Sequence, residues 1–158
     1  MKGFFFCIKV GYAMRILIST KVELDYKTVY SRFDVNLFKK LKPPLVGLYV
    51  KRFDGCNKGD EVHIEINTLG IKQPWNALIT ENAGNEQEIV FVDEGIVLPN
   101  FIKTWKHTHR IVKNGSSSII IDDIKYKTPN ILLDFISYPV MYLQFFYRKP
   151  VYKSYFRK

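Results

Sequence analysis

FIKTWKHTHRIVKNGSSSIIIDDIKYKTPNILLDFISYPVMYLQFFY, residues 101–147, is the stretch whose reading decides the fold. Two alternating segments flank Asn114-Gly115, a pair suited to the positive backbone angles of a tight hairpin turn. Residues 101–112 and 117–127 therefore read as two paired antiparallel strands. Pro129-Asn130 ends the second strand. Beyond it Ile131, Leu132, Phe135, Tyr138, Tyr142, Leu143, Phe146 and Tyr147 recur at steps of three and four, the spacing of one helix face. Pro139 and Pro150 each lack the N–H a helix needs. The expectation is a short leading segment, then a long helix from about Val140 that is bent or segmented rather than straight.

Upstream, Ile16, Ile18, Thr20, Val22 and Leu24 share one side of an alternating, half-buried strand. Asp25 is placed to cap a helix over residues 26–33, where Val29 and Phe33 are four apart. A second short helix over residues 35–41 is stopped by Lys42-Pro43-Pro44. Strands are then expected at residues 46–53, 61–67, 73–81 and 88–94. Between them lie turns at Asp54-Gly55, Asn57-Lys58-Gly59-Asp60 and Asn82-Ala83-Gly84-Asn85, and a loop follows through Gly95 and Pro99. The order is α+β: about seven antiparallel strands, two short helices after the first and a long C-terminal helix lying on the sheet. If that sheet curves, a space opens between sheet and helix.

The chain has 158 residues, enough for one domain. Residues 14–158 read as that domain. The first thirteen residues read as a short extension or a mis-assigned start, because Met14 immediately precedes the first strand. Lys9 interrupts an apolar run too short for a secretion signal. No apolar run approaches the ~20 residues that cross a bilayer. The two cysteines, Cys7 and Cys56, have neither zinc-site spacing nor the number for a disulfide framework, so a reducing, cytoplasmic setting is expected. Net charge is +9, but the 24 basic residues are scattered, densest at Arg148, Lys149, Lys153, Arg157 and Lys158. Nucleic acid is not the expected partner, while peripheral contact with an anionic membrane stays open. The five turn glycines form no phosphate-binding loop.

Strand alternation gathers an unusual polar set. Trp105, His107, His109 and Ile111 share a face, as do Ser118, Ile120, Asp122, Ile124 and Tyr126, and Phe91 pairs likewise with Asp93. If these faces agree across the hairpins, two carboxylates, two imidazoles, an indole and a phenol converge. Buried charges must be paired, so a contact between His107 or His109 and Asp93 or Asp122 is expected. Four chemistries fit the pattern: a satisfied network bracing the sheet, a polar patch orienting a ligand, a metal site, or an acid–base pair. His-x-His alone is a weak metal signal, and no nucleophile motif accompanies the pair. No metal or cofactor is therefore expected. Trp75, Tyr138, Tyr142 and Phe146 read as core or cavity wall, and His63 as solvent-facing.

The run from Phe91 to Phe156 reads FVDEG, PNFIKTWKHTH, DDIKYKTP, then a helix holding FFYRKPVYKSYF. It resembles a bacterial branch of the START/polyketide-cyclase-like superfamily (SRPBCC), which carries F-x-D-E, then W-x-H-x-H, then D-x-V-x-Y-x-x-P. LFKKLKPP, KGDEVHIEI and WNALIT are similar in outline, so the resemblance spans residues 15–156. The chain departs from it at Leu98-Pro99-Asn100-Phe101, where many members have Gly-Pro-Phe, and at Ser116-Ser117-Ser118, where Gly-Thr is common. The resemblance implies a helix-grip fold enclosing a cavity. It also implies a non-enzymatic carrier or sensor of a small hydrophobic ligand that is lipid-, aromatic- or polyketide-like. The ligand-facing residues would be Trp75, Phe91, Asp93, Trp105, His107, His109, Asp122, Tyr126, Tyr138 and Tyr142. The superfamily also holds cyclases and hydrolase activators, so an enzyme using a cavity His–Asp pair is the alternative. A basic module for an anionic membrane or nucleic acid is the second alternative.

Overall fold

The structure is a computed structural model, which describes residues 14–158 apart from positions 45 and 69. The expectation for residues 1–13 lies outside the described residues. The elements run β1 (Met14–Val22), α1 (Tyr26–Ser31), α2 (Val35–Lys40), β2 (Gly47–Phe53), β3 (Glu61–Thr68), β4 (Ile71–Gly84) and β5 (Glu88–Val97). They continue with β6 (Thr104–Asn114), β7 (Ser117–Lys127), α3 (Ile131–Phe146) and α4 (Arg148–Tyr155). One seven-stranded antiparallel sheet has the order β1-β7-β6-β5-β4-β3-β2. Strands β2 to β7 form a meander, and β1 adds to its far edge by pairing with β7.

Local chemistry sets the joints. Asp25 Oδ1 accepts from the backbone N–H of Lys27 and Thr28, each at 3.1 Å, and starts α1. Asp34 Oδ1 does the same for Asn36 and Leu37 at 2.9 Å and starts α2. Asn130 caps α3 through the Leu133 N–H at 3.0 Å. Between β6 and β7 the loop is Gly115-Ser116, flanked by the pair Asn114 and Ser117, and Gly115 takes the positive φ (64°) that the tight turn needs. Register shifts interrupt the β4–β5 ladder between Asn76 and Ala77 and between Ile79 and Glu81. Such bulges bend a strand and raise its twist, which turns the middle of the sheet toward the helices.

Boundaries differ from expectation in several places, among them β5, which runs through Gly95 to Val97. Helix α3 begins at Ile131, not near Val140, and runs through Pro139. Met141 and Phe145, two and six residues on, are buried against the sheet, and that packing outweighs the missing proline N–H. The break comes instead at Tyr147, between α3 and α4. Pro150 does not interrupt α4, because it falls in the first turn, where helical N–H groups have no partner to lose. Strand β4 absorbs Asn82, Ala83 and Gly84, expected as a turn. Strand β6 begins at Thr104 rather than Phe101, because Ile102 N–H closes a turn onto the Pro99 carbonyl at 2.9 Å. His63, alternating with cavity-lining Val62 and Ile64, lies on the outer side of the sheet as expected, partly covered there by Glu61 at 2.5 Å.

Two apolar clusters fill the space between sheet and helices. One packs Val29, Leu37, Ile79, Phe91, Ile111, Ile120, Tyr152 and Phe156 beneath α1, α2 and α4. The other packs Ile16, Ile18, Trp105, Ile124, Tyr126, Met141 and Phe145 beneath α3. No helix among the described residues is long and apolar enough to cross a membrane.

Candidate functional site

The polar residues form a seam between the two apolar clusters. On β7 the inward face reads Ile120, Asp122, Ile124, and on β6 it reads Ile111, His109, His107, Trp105. Each strand leaves one apolar cluster, crosses the polar seam and enters the other. The hairpin registers align the seam: Asp93 lies opposite His107, and His109 lies opposite Asp122.

The result is a box of two imidazoles between two carboxylates. The His107 and His109 rings lie with centroids 3.6 Å apart and planes inclined by 35°. At one end Asp122 Oδ1 is 2.9 Å from His107 Nε2 and 3.5 Å from His109 Nδ1. At the other end Asp93 Oδ2 is 3.0 Å from His109 Nε2 and 3.5 Å from His107 Nδ1. Trp105 Nε1–H donates to the second Asp93 oxygen at 2.9 Å. Phe91 stacks on His109 at 4.3 Å, and Phe145 meets the His107 ring edge-on at 5.3 Å. Asp122 is 1% exposed and His107 is 2% exposed, so water cannot compensate for a lost partner.

Charge follows from this packing. Burial, with the neighbouring His109, pushes His107 down to about 4, so near neutral pH it is an uncharged ring that donates one N–H. Burial works to raise both carboxylates, but the His109 hydrogen bond holds Asp93 below its ordinary range, and the His107 bond does the same for Asp122. Both acids are therefore ionised. The Tyr152 phenol reaches Asp122 at 3.5 Å from α4, and burial raises its pKa.

Beside the seam lies a cavity of about 420 Å3, walled by the inward faces of β2 to β6, by α2 and the turn before it, and by α3. Trp75, Phe91, Asp93, Trp105, His107 and His109 all belong to its wall. Asp122 is not part of the wall; it holds His107 from behind. Tyr126 is fully buried under α3, with its hydroxyl 3.2 Å from Ser137 Oγ. Tyr138 and Tyr142 stack on one another at 6.3 Å along α3, outside the wall. Remaining wall residues are chiefly apolar, among them Val62, Ile64, Ile66, Ala77, Met141 and Phe145. Exposed Phe101, Ile136 and Val140 also line it, so the cavity opens to solvent along an apolar rim.

Two wall features were not singled out from sequence. Arg148, at the start of α4, lines the cavity with its guanidinium 4.2 Å from the Phe145 ring, and its charge helps keep Asp122 ionised. Phe33, in the turn between α1 and α2, and Leu37 and Phe38 of α2 close one end. The spacing of Arg148 and Tyr152 by four residues was visible in the sequence, but their approach to Asp122 depends on how α4 docks. Cys56 also lines the cavity; burial pushes its thiol up to about 12, which leaves it a poor nucleophile.

No family model matches the chain, and no curated relative matches it. Solved structures do. A norcoclaurine synthase point mutant from Thalictrum superposes with a TM-score of 0.59 at 14% identity, covering 83% of this chain and 86% of that one. A START superfamily protein from Mycobacterium smegmatis gives 0.57 at 12% identity, over 86% and 97%. A Streptomyces aromatase/cyclase gives 0.57 at 9% identity, over 75% and 70%. The chain shares the helix-grip fold of these structures.

Proposed function

We propose that this protein binds a small hydrophobic ligand in the cavity between sheet and α3, and holds it without transforming it. The observation that carries this reading is the wall itself. It is an apolar enclosure of about 420 Å3 with one polar corner formed by Asp93, His107 and His109. Such a site takes its affinity from the apolar wall and its orientation from the polar corner. A lipid-, aromatic- or polyketide-like molecule with one oxygen-bearing end suits it. Both imidazoles are already engaged by carboxylates, and the one cavity thiol is suppressed, which favours holding over turnover. An environment-sensitive naphthylamine dye tests the reading. Saturable uptake is expected, with loss on Ala77→Phe, which fills the cavity from β4. Uptake unchanged by that substitution would place the dye elsewhere and refute the reading.

A second observation favours a membrane-facing role. Helix α3 carries a single charged residue, Asp134, and that one is buried. Its outer side exposes Ile131, Leu132, Phe135, Leu143 and Phe146, each 41–66% accessible. Basic residues bracket it, with Lys103 and Lys127 joined at 2.7 Å through their backbones near its start, and Arg148 and Lys149 just past its end. An apolar helix between cations suits an anionic lipid surface, where the side chains sink among acyl chains and the cations meet headgroups. A second copy of this chain would oppose like charges across the same face. Sedimentation with phosphatidylserine-containing vesicles is expected and should weaken with salt. Leu143→Glu should abolish it, and equal binding by wild type and variant would overturn this reading.

A further inference from the structure

The Asp93 end of the imidazole box has a feature that hydrogen bonding alone does not resolve. His107 donates its Nε2–H to Asp122, so its Nδ1 presents a lone pair toward Asp93 Oδ2, 3.5 Å away. Two acceptors face one another there. At the other end His109 Nδ1 and Asp122 Oδ2 are buried without a hydrogen-bond partner, although His109 Nδ1 lies 3.5 Å from Asp122 Oδ1. Moving the His109 proton from Nε2 to Nδ1 aims an N–H at the Asp122 carboxylate. It also leaves three lone pairs, on His107 Nδ1, His109 Nε2 and Asp93 Oδ2, gathered about one point, the ligand atoms within 4.8 Å of one another. A cation at that point satisfies both ends at once.

We propose that Asp93, His107 and His109 bind a divalent first-row transition ion, Zn2+ or Fe2+, at the polar corner of the cavity. The three ligand atoms lie within 4.8 Å of one another. Donors sharing a tetrahedral ion with bonds near 2.1 Å sit about 3.4 Å apart, and the 3.0 and 3.5 Å separations from Asp93 bracket that value. Asp122 takes the far N–H of His107 at 2.9 Å and lies 3.5 Å from the far nitrogen of His109, on the side of the rings where a carboxylate orients metal-binding imidazoles. Trp105 pins the other Asp93 oxygen, which leaves Oδ2 for the ion. Two nitrogens and one carboxylate oxygen suit borderline divalent ions and leave coordination positions open. All three ligands line the cavity, so an open position faces it and would take an oxygen of the bound molecule. This deepens the ligand-binding reading, since the ion would hold the polar end of the ligand.

The test uses the untagged full chain, stripped with chelator and titrated with Co2+. Expected is one equivalent bound, with an intensified visible absorption band displaced by Zn2+. His109→Gln and Asp93→Asn should lose the band while keeping the wild-type circular dichroism spectrum. Asp122→Asn should weaken binding about 10–100-fold, and His63→Gln, on the opposite side of the sheet, should bind like wild type. A wild-type spectrum identical to aqueous Co2+ overturns the proposal, whatever the variants do. Dye uptake by the stripped protein keeps the two ideas apart. Uptake without a cobalt band removes the metal alone, whereas a cobalt band without uptake removes the apolar-ligand reading alone.

Discussion

His107→Leu is the perturbation that most sharply tests how the seam is held together. The substitution keeps bulk on β6 but removes the 2.9 Å donor to Asp122. What remains near that carboxylate is the Tyr152 hydroxyl and His109 Nδ1, both at 3.5 Å and too long to replace it. Asp122 is 1% exposed, so the loss leaves a nearly uncompensated buried charge. Breaking one side of a buried pair costs about 3–5 kcal/mol. For a chain of this length that is a fall in melting temperature of about 10 °C. The assay is urea and thermal denaturation followed by circular dichroism, with EDTA present so that bound metal plays no part. The double variant His107→Leu/Asp122→Leu removes both partners and leaves an apolar contact with the clusters on either side. It should recover most of the loss, because a buried pair replaced by apolar side chains is close to neutral. A single variant losing under about 1 kcal/mol would show that Asp122 is not held as described. A double variant no more stable than the single would show the same.

Three further outcomes follow from the same structure. His107 is held at about 4 against an ordinary 6.5, so as pH falls from 6.5 to 4 the unfolded chain takes up a proton that the folded chain refuses. Stability should fall through that window by up to about 1.4 kcal/mol per pH unit, and His107→Gln should flatten the slope in urea titrations. Below the window, both carboxylates have folded values lowered from 3.8, so their contribution is present at higher pH and is lost as pH drops further. Asp25→Ala removes the acceptor for two α1 N–H groups and should cost about 1 kcal/mol by chemical denaturation. Trp105→Phe frees one Asp93 oxygen. It should shift the affinity of the polar corner for ligands while barely changing dye uptake by the apolar wall, as two parallel titrations would show.

The strands were legible because a half-buried strand writes its face into alternate positions. Trp105, His107, His109 and Ile111 needed only that rule; which β7 residues stand opposite them was fixed by the turn, whose two loop residues are Gly115-Ser116 rather than Asn114-Gly115. The His–Asp contact followed, since a buried imidazole beside a buried carboxylate must pair. The start of α3 was misplaced because a local rule about Pro139 was outweighed by the burial of Met141 and Phe145, a tertiary effect. The turn expected at Asn82-Ala83-Gly84 gave way for a similar reason, as pairing with β5 carries β4 to Gly84. Arg148 and Tyr152 approach Asp122 only because α4 docks across the sheet, and no local pattern encodes that docking. The bare outer side of α3 was equally hidden. Its three- and four-residue spacing reads as a buried face, yet Ile131, Leu132, Phe135, Leu143 and Phe146 of that face are turned outward, while Met141 and Phe145 are the buried residues.

The most direct test of the central claim is native mass spectrometry of the protein after gentle purification, repeated on Ala77→Phe. The cavity account predicts a population heavier than the bare chain by one small hydrophobic molecule. That molecule should be released on collisional activation and absent from the variant. A bare wild-type mass, together with no mass shift on adding excess naphthylamine dye, would contradict it.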